Sequence, residues 1–316
     1  MDKTILTFFI GGLILFIFSI SQLSKKLQDF FQEGTNQQIE KFTDKVLKSL
    51  FLGILATIIL GSSSAVIIIT IVLINARAIS FKNSMGVILG ANIGTTFTSQ
   101  LIALNISEYA VYVMALGLVM MIFGGKRKLN SYGQILFYFG LLFFGLYVME
   151  HSVLPLRESE FFTNQLAQIG DNPLRGVWVG GLTTLVIQSS SATVGIAILL
   201  GKQGLLSSAG GLAVMLGAEL GTCSDTLLAT INGSRAAFRA GVFHVSFNLL
   251  SITIGLLLFD QFTNLVTWVS QTQEIEKLIA NGHLLFNCLG VLIILPFLGL
   301  LGKILIRLIP DKKPTT

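Results

Sequence analysis

Charged residues are scarce in this sequence, since Asp, Glu, Lys and Arg make up only 12% of its 316 residues. A soluble globular domain has about twice that fraction. Instead, 53% of the chain is hydrophobic, and long apolar segments recur from one end to the other. The sequence therefore predicts an all-α, polytopic membrane protein embedded in a lipid bilayer. The small net charge of +5 gives no reason to expect a nucleic-acid partner.

Cysteine and the common catalytic motifs are also scarce. The two cysteines, Cys223 and Cys288, lie in apolar context and provide neither a disulfide framework nor a metal-ligand spacing. The sequence shows no nucleophile–base–acid constellation, no phosphate-binding loop motif and no dinucleotide motif. We therefore expect neither enzymatic activity nor a cofactor.

The chain contains a duplicated unit. Residues 188–192 (Gln-Ser-Ser-Ser-Ala) form a polar break in a hydrophobic run, and residues 61–65 (Gly-Ser-Ser-Ser-Ala) repeat it 127 positions earlier. At the same offset, segments 53–96 and 180–223 share 17 of 44 residues without a gap. A polar break inside a membrane needs a reason, because hydrocarbon satisfies neither hydroxyls nor free backbone groups.

Seven apolar segments predict membrane-spanning helices, and two further stretches differ from them. Residues 46–76 and 174–201 each consist of an apolar arm, a serine triplet and a second arm of about 10 residues, too short to cross a ~30 Å core. We interpret both as re-entrant hairpins. The predicted spans are residues 4–23, 84–104, 108–124, 132–150, 208–231, 236–259 and 283–309.

The distribution of basic residues supports this topology. If the hairpins do not cross, one membrane face receives 16 of the 21 Lys and Arg residues. The positive-inside rule then places the N-terminus outside and the C-terminus in the cytoplasm of a multi-pass cell-membrane protein. Three crossings separate the two copies, so the second is inverted. The predicted parts are a first inverted repeat at 1–130, a second at 131–260, and a segment at 261–316 with an interfacial stretch, the last span and a cytoplasmic tail.

The serine triplets have a clear chemical use at such a position. Where a hairpin turns inside the membrane, the returning helix presents free N–H groups and the positive end of its dipole. Serine hydroxyls there cap the helix and donate to the oxygens of an anion. Unwound carbonyls at the same point suit sodium. The alternative is that serine, glycine and threonine only permit close helix packing, and the duplication favours a site.

Residues 90–96 and 217–223 form a second matched pair, in which glycines flank a polar residue near the middle of a span. The pattern predicts an unwound turn in each helix, with oxygen ligands for a hard monovalent cation. Asn92 and Glu219 occupy equivalent positions, and an ionisable residue at this depth is a functional-site candidate. The alternative for Glu219 is an acid that faces a water-filled vestibule or stays protonated.

His244 and His283 each begin a His-x-x-Phe-Asn pattern that ends at Asn248 or Asn287. The i, i+4 spacing places each His–Asn pair on one helix face, where hydrogen bonding between helices is the usual role. We favour this structural interpretation over a metal site.

The Gln-Ser-Ser-Ser-Ala run at 188–192, the Gly-Ala-Asn-Ile-Gly-Thr-Thr run at 90–96 and the inverted duplication resemble the type II sodium-dependent phosphate cotransporter family. The resemblance covers about residues 5–305 and is closest to short bacterial members without a C-terminal soluble domain. It implies that the serine motifs line the substrate and sodium pathway. The expected phosphate-binding residues are Ser62, Ser63, Ser64, Gln188, Ser189, Ser190 and Ser191. For sodium we predict Asn92, Thr95, Thr96, Glu219, Thr222 and Ser191.

Two residues depart from the family pattern: Gly61 stands where glutamine is usual, and Glu219 where asparagine is usual. We expect a secondary active symporter that couples sodium entry to inorganic phosphate uptake by alternating access. One alternative is a sodium- or proton-coupled carrier for another oxyanion or an organic anion. A passive anion channel is the alternative from another class, although a midplane glutamate is an unusual choice for an anion pore.

Overall fold

The computed structural model describes residues 3–31, 45–104, 109–123, 127–155, 160–231 and 233–311. Within these ranges the chain is helical and contains no strand, as predicted. The described residues of the seven predicted spans lie mainly on helix. Residues 108 and 124, the two ends of one predicted span, lie outside the described residues, as do residues 1–2, 32–44, 105–107, 125–126, 156–159, 232 and 312–316.

The helices are numbered in chain order over the described residues. They are α1 (Lys3–Phe31), α2 (Val46–Leu60), α3 (Ser63–Asn75), α4 (Phe81–Ile102), α5 (Ala110–Phe123), α6 (Arg127–Val153), α7 (Glu160–Asp171), α8 (Pro173–Ile187), α9 (Ser190–Lys202), α10 (Ser208–Gly221), α11 (Cys223–Thr230), α12 (Arg235–Leu257), α13 (Phe259–Ser270), α14 (Ile275–Ile294) and α15 (Leu298–Leu308). A 3₁₀ turn at Leu295–Phe297, which contains Pro296, joins α14 to α15.

Several of these helices are long and apolar enough to cross a membrane. By length and composition, five segments of the described chain meet this criterion: Lys3–Leu23, Leu129–Val153, Ser208–Thr230, Arg235–Leu257 and Ile275–Leu308. Helix α13 is amphipathic instead, because Phe259, Phe262 and Val266 are buried on one face while Trp268 is exposed. The protein is therefore a polytopic helical membrane protein.

Both serine-containing stretches form two helical arms joined by a short break, as predicted. Helix α2 ends at Gly61 and α3 begins after Ser62, while α8 ends at Gln188 and α9 begins after Ser189. The arms contain 13 or 15 residues, so each is roughly 20 Å long and shorter than a ~30 Å hydrocarbon core. The arms of each hairpin also contact each other.

One hydrogen bond between the arms distinguishes the two hairpins. Thr184 Oγ1 on α8 donates to Thr193 Oγ1 on α9 at 2.8 Å. The equivalent residues of the first hairpin are Thr57 and Val66, and the Thr57 hydroxyl is buried without a hydrogen-bond partner. A buried polar group without a partner costs about 1–3 kcal/mol. The first hairpin therefore contains a buried hydroxyl without a hydrogen bond, whereas the equivalent hydroxyl of the second hairpin is hydrogen-bonded.

Replacing the valine opposite Thr57 should repair the first hairpin in the same way. Val66→Thr is expected to stabilise the protein by about 1 kcal/mol, because the new hydroxyl bonds to Thr57 Oγ1. The measurement is the thermal unfolding midpoint of the purified protein in detergent. The control is the same substitution in a Thr57→Val background, where no gain is expected. A midpoint at or below that of the wild type would contradict this pairing.

The predicted unwound turns are not observed. Helix α4 runs without interruption through residues 90–96, so the prediction is wrong there. In the second copy only Thr222 separates α10 from α11, and its backbone keeps helical angles (φ −66°, ψ −19°). The carbonyl groups in both stretches therefore remain close to helical geometry.

The glycines in these stretches serve close packing instead. A Cβ atom on Gly90 would lie 2.0 Å from the Leu50 carbonyl oxygen, and one on Gly217 would lie 2.0 Å from the Val177 carbonyl oxygen. Helices approach this closely only where one of them lacks a side chain. Helix α2 therefore packs on α4 as α8 packs on α10, and the packing alternative is correct for these glycines.

The two copies are interlocked through their hairpins. The second arm of the second hairpin, α9, contacts α4 of the first copy, where Gly195 faces Ile102. In the same way α3 of the first copy contacts α11 of the second. One buried apolar cluster combines α3, α4 and α12, and another combines α10, α13 and α14. The polar residues described next lie where these helices meet.

Candidate functional site

The breaks of the two hairpins have the same local structure. Ser62 and Ser189 are extended residues whose hydroxyls accept a hydrogen bond from the N–H group three residues later, at Ala65 and Ala192. This is the preferred geometry of a helix N-cap. The first serine of each triplet therefore starts the returning helix, as the sequence predicts.

The residue before each cap has a left-handed backbone. Gly61 has φ 62° and Gln188 has φ 59°, and their N–H groups close the preceding helices on the carbonyls of Thr57 and Thr184. Glycine adopts this conformation without strain, whereas a residue with a Cβ atom is disfavoured by about 1–2 kcal/mol. Gln188 is exposed, and its Nε2 atom donates to Leu185 O at 3.0 Å. The second hairpin thus retains a side-chain amide at a position where glycine would be easier.

The remaining serines lie inside the protein. Ser63, Ser190 and Ser191 are buried, and Ser64 is partly buried. Ser190 and Ser191 occupy the first turn of α9, where N–H groups lack partners within the helix and the dipole favours negative charge. Together with the serine hydroxyls, this turn offers several donors to an oxyanion.

Glu219 is buried on α10, with 3% of its surface exposed. Its Oε1 atom lies 2.6 Å from His283 Nε2 and 3.3 Å from Asn287 Nδ2, both on α14. An isolated buried carboxylate would be very costly, so such a group needs hydrogen-bond donors or a charge partner. The second His-x-x-Phe-Asn pattern supplies both donors.

Ser99 on α4 extends this contact into the first copy. Its hydroxyl lies 2.7 Å from Nδ1 of His283, a ring with no solvent exposure. A hydroxyl can donate to an unprotonated ring nitrogen or accept from a protonated one. Ser99, His283 and Glu219 therefore form a continuous chain of hydrogen bonds from α4 through α14 to α10.

The other His-x-x-Phe-Asn pattern binds the backbone of the same glutamate. Asn248 Nδ2 on α12 donates to Glu219 O at 2.9 Å, and it also contacts Cys223 Sγ at 3.3 Å and His244 Nε2 at 3.2 Å. His244 Nδ1 in turn lies 2.9 Å from Thr226 Oγ1 on α11. The interpretation of both patterns as hydrogen-bonding pairs is confirmed, and each pattern supplies an asparagine donor to Glu219.

The equivalent position of the first copy is different. Asn92 is buried, and its Nδ2 atom has no hydrogen-bond partner. The hydroxyls of Thr95, Thr96 and Thr222 donate to carbonyls of their own helix turn, at 3.0, 2.7 and 2.9 Å. Their oxygen lone pairs remain able to face a cation. The assignment of sodium to these residues stays a prediction.

Sequence reasoning missed the partners of Glu219, which are His283, Asn287 and Asn248, and it also missed Ser99, the second partner of His283. His283 is 64 positions away in sequence, and Ser99 and His283 are 184 positions apart. A buried carboxylate predicts that a donor must exist, and two identical His-x-x-Phe-Asn patterns at similar depth were the available signal. The side chain of Asp225, a second acidic residue in this region, lies outside the described residues.

The fold and the site together define a class of protein. The protein combines apolar helices long enough to cross a membrane with a buried, ionisable, hydrogen-bonded centre. It also contains two hairpins whose second arms begin at serine caps. Ionisable residues inside such a bundle mark substrate or ion pathways, and discontinuous helices near them are typical of secondary transporters. This is a membrane protein of the transporter class.

The comparison with known families identifies the branch of that class. The model of the Na+/Pi-cotransporter family matches residues 15–151 and 157–293. The chain therefore belongs to the Na+/Pi-cotransporter family, as its resemblance implied. No solved structure matches it with significance.

Relatives named for several roles match the chain to different extents. "Uncharacterized protein YqeW" of Bacillus subtilis is 30% identical over 308 residues, covering 98% of this chain and 99% of the relative. "Putative inorganic phosphate export protein YjbB" of Salmonella typhimurium is 22% identical over 263 residues, covering 82% of this chain and 48% of the relative. "Sodium-dependent phosphate transport protein 2B" of Homo sapiens is 33% identical over 103 residues, covering 31% and 15%. The chain thus spans about half of the length of YjbB.

Proposed function

We propose that this protein is a secondary active symporter that moves inorganic phosphate together with sodium by alternating access. The observation that carries the proposal is the pair of serine-capped helix breaks at equivalent positions of a duplicated chain. Family membership supports phosphate as the substrate. The names of the relatives include both a sodium-dependent transport protein and an export protein, and these names do not agree on one direction of phosphate flux. We infer inward flux driven by sodium.

Phosphate would bind at the hairpin breaks. Buried Ser63, Ser190 and Ser191 stand in the first turns of α3 and α9, where free backbone N–H groups and the positive end of the helix dipole favour an anion. The exposed amide of Gln188 adds a donor at the entrance to the second turn. Ser62 and Ser189 hold the geometry by capping, and Ser64 completes the first triplet.

Sodium would compensate the charge of the anion. The sequence contains no Lys or Arg at residues 49–76 or 176–201, which form most of both hairpins. A phosphate bound there lacks a protein cation, so a bound sodium ion makes anion binding more favourable and links the two ligands. Asn92, Thr95 and Thr96 on α4, with Ser191 and Thr222, offer amide, hydroxyl and carbonyl oxygens of the kind that hard cations prefer.

The duplicated units would work as inverted repeats. The charge distribution favours an N-terminus outside the cell and a C-terminus in the cytoplasm, and an odd number of crossings then inverts the second copy. Hairpins that enter from opposite sides give each face of the membrane one gate. The cross-contacts of α9 with α4 and of α3 with α11 would let the two gates move together.

The test is uptake of radiolabelled phosphate by proteoliposomes that contain the purified protein. We expect accumulation with an inward sodium gradient and none with an equal potassium gradient. Accumulation with a proton gradient alone would contradict sodium coupling but would agree with a proton-coupled phosphate carrier. Phosphate flux that needs no cation gradient would favour a channel. Accumulation only with an outward sodium gradient would mean that sodium and phosphate move in opposite directions and would contradict symport, and no phosphate flux from folded protein would contradict the substrate.

A further inference from the structure

The two equivalent positions of the duplicated unit, Asn92 and Glu219, differ in how their side chains are satisfied. Both residues are buried, at 2% and 3% exposure. The Asn92 amide nitrogen has no acceptor among the described residues. Glu219 has partners at its side chain and at its backbone carbonyl. The unpartnered Asn92 nitrogen is a donor that only an acceptor would satisfy, whereas the Glu219 oxygens already accept from protein donors.

Protein donors already bond to two oxygen atoms of Glu219 that a cation could use, Oε1 and the backbone carbonyl oxygen. His283 Nε2, at 2.6 Å, and Asn287 Nδ2, at 3.3 Å, both bond to Oε1 of the carboxylate. The Glu219 carbonyl oxygen accepts from Asn248 Nδ2 and from Thr222 Oγ1, each at 2.9 Å. Sodium is bound through oxygen lone pairs, so it competes directly with these N–H and O–H groups.

Displacing the imidazole would also disturb the rest of the chain of hydrogen bonds. His283 is fully buried, and its other ring nitrogen lies 2.7 Å from Ser99 Oγ. A ring that left the carboxylate would lose one partner and strain the other, and a buried polar group without a partner is destabilising. The ring is therefore held against Glu219 from both sides.

Four other cationic side chains of the described residues have partners other than Glu219. The group that the structure places against this carboxylate is the His283 imidazole. The pairs are Lys202 with Glu150 at 2.7 Å, Arg239 with Asp311 at 2.6 Å and Lys277 with Glu274 at 2.8 Å, and Arg175 bonds to Gln168 at 2.8 Å.

We propose that the His283 imidazole takes the place of a coupling sodium ion at Glu219, so that the second copy of the duplicated unit is closed to sodium at this position. The sodium ion is then held by the other predicted oxygen ligands, among them those of Asn92, Thr95 and Thr96. This inference rests on the proposed sodium coupling and revises the predicted sodium role of Glu219. It explains how the chain accommodates an acid where its own first copy has an amide.

Removing the imidazole tests this directly. In His283→Ala the buried carboxylate loses its partner, and we expect one additional sodium ion to bind per chain. In the double variant Glu219→Gln, His283→Ala the charge is also removed, and the additional ion should be lost. The measurement is equilibrium binding of radioactive sodium to the full-length protein in detergent. The matched control is His151→Asn, since His151 is exposed and bonds to its own helix at Tyr147 O.

Each outcome decides the proposal. An unchanged sodium count in His283→Ala overturns it, and so does the loss of one sodium in Glu219→Gln alone. A wild type that binds no sodium contradicts the proposed coupling, whereas a gain from none to one in His283→Ala still supports the closed position.

A second measurement uses the wild type and covers the case in which the variants fail to fold. The chain has three histidines, so isotope-labelled histidine gives a simple nitrogen NMR spectrum. The His283 signals should be the same in saturating sodium and in choline. A sodium-induced loss of the ring hydrogen bond overturns the proposal.

Discussion

The Gly180→Ala variant is expected to yield almost no folded protein, whereas Gly181→Ala, one residue further, should fold like the wild type. A Cβ atom on Gly180 would lie 2.0 Å from the Val214 carbonyl oxygen, while the nearest neighbour of one on Gly181 is at 3.5 Å. Backbone atoms cannot rotate away as a side chain can, so α8 and α10 would have to separate. Overpacking typically costs about 1–3 kcal/mol, and we expect a clash with fixed backbone to reach or exceed the upper end of that range.

The measurement is the yield of monodisperse protein and its thermal unfolding midpoint in detergent. The two glycines are adjacent on α8, and replacing either one by alanine reduces backbone flexibility to the same extent. The comparison therefore isolates the contact between α8 and α10. Equal midpoints for the two variants would show that α8 and α10 do not pack this closely. Gly53 offers a repeat of the experiment in the first copy, because its Cβ atom would lie 2.2 Å from Val87 O.

The hairpins could be predicted from sequence because their determinants are local. An apolar arm, a residue suited to a left-handed turn and a serine that caps the next helix follow one another within a few positions. Ser62 and Ser189 cap as expected. The helical spans follow from apolar length alone, and the resemblance to the family followed from the runs at 188–192 and 90–96 together with the duplication.

The unwound turns were predicted wrongly because glycine has two uses that look the same in sequence. Gly90 and Gly217 satisfy a pattern typical of broken helices, yet they serve contacts with Leu50 and Val177. Only the position of a second helix distinguishes the two uses. The partner of Glu219 was missed for a similar reason, since His283 reaches it through tertiary packing and not through a local spacing.

Gln188→Gly is expected to lower phosphate uptake by about 10- to 100-fold while leaving the hairpin folded. The substitution gives the second break the residue that the first already has at Gly61, so the left-handed turn at φ 59° is kept and its strain relieved. The only functional group removed is the side-chain amide. A hydrogen bond to a charged ligand contributes about 1.5–3 kcal/mol, which corresponds to this loss in transport efficiency.

The measurement is the concentration dependence of sodium-driven phosphate uptake in proteoliposomes, together with the unfolding midpoint of the variant. The reciprocal change, Gly61→Gln, is the matched control for strain, because it adds a Cβ atom to a left-handed residue and is expected to cost about 1 kcal/mol of stability. Full uptake by Gln188→Gly would show that the amide is not part of the anion site, whose binding groups would then be the serines and the helix termini. Loss of folding would instead mean that the amide contact with Leu185 O holds the turn. The expected result, a more stable protein that transports poorly, is the signature of a residue retained for its ligand at the expense of its fold.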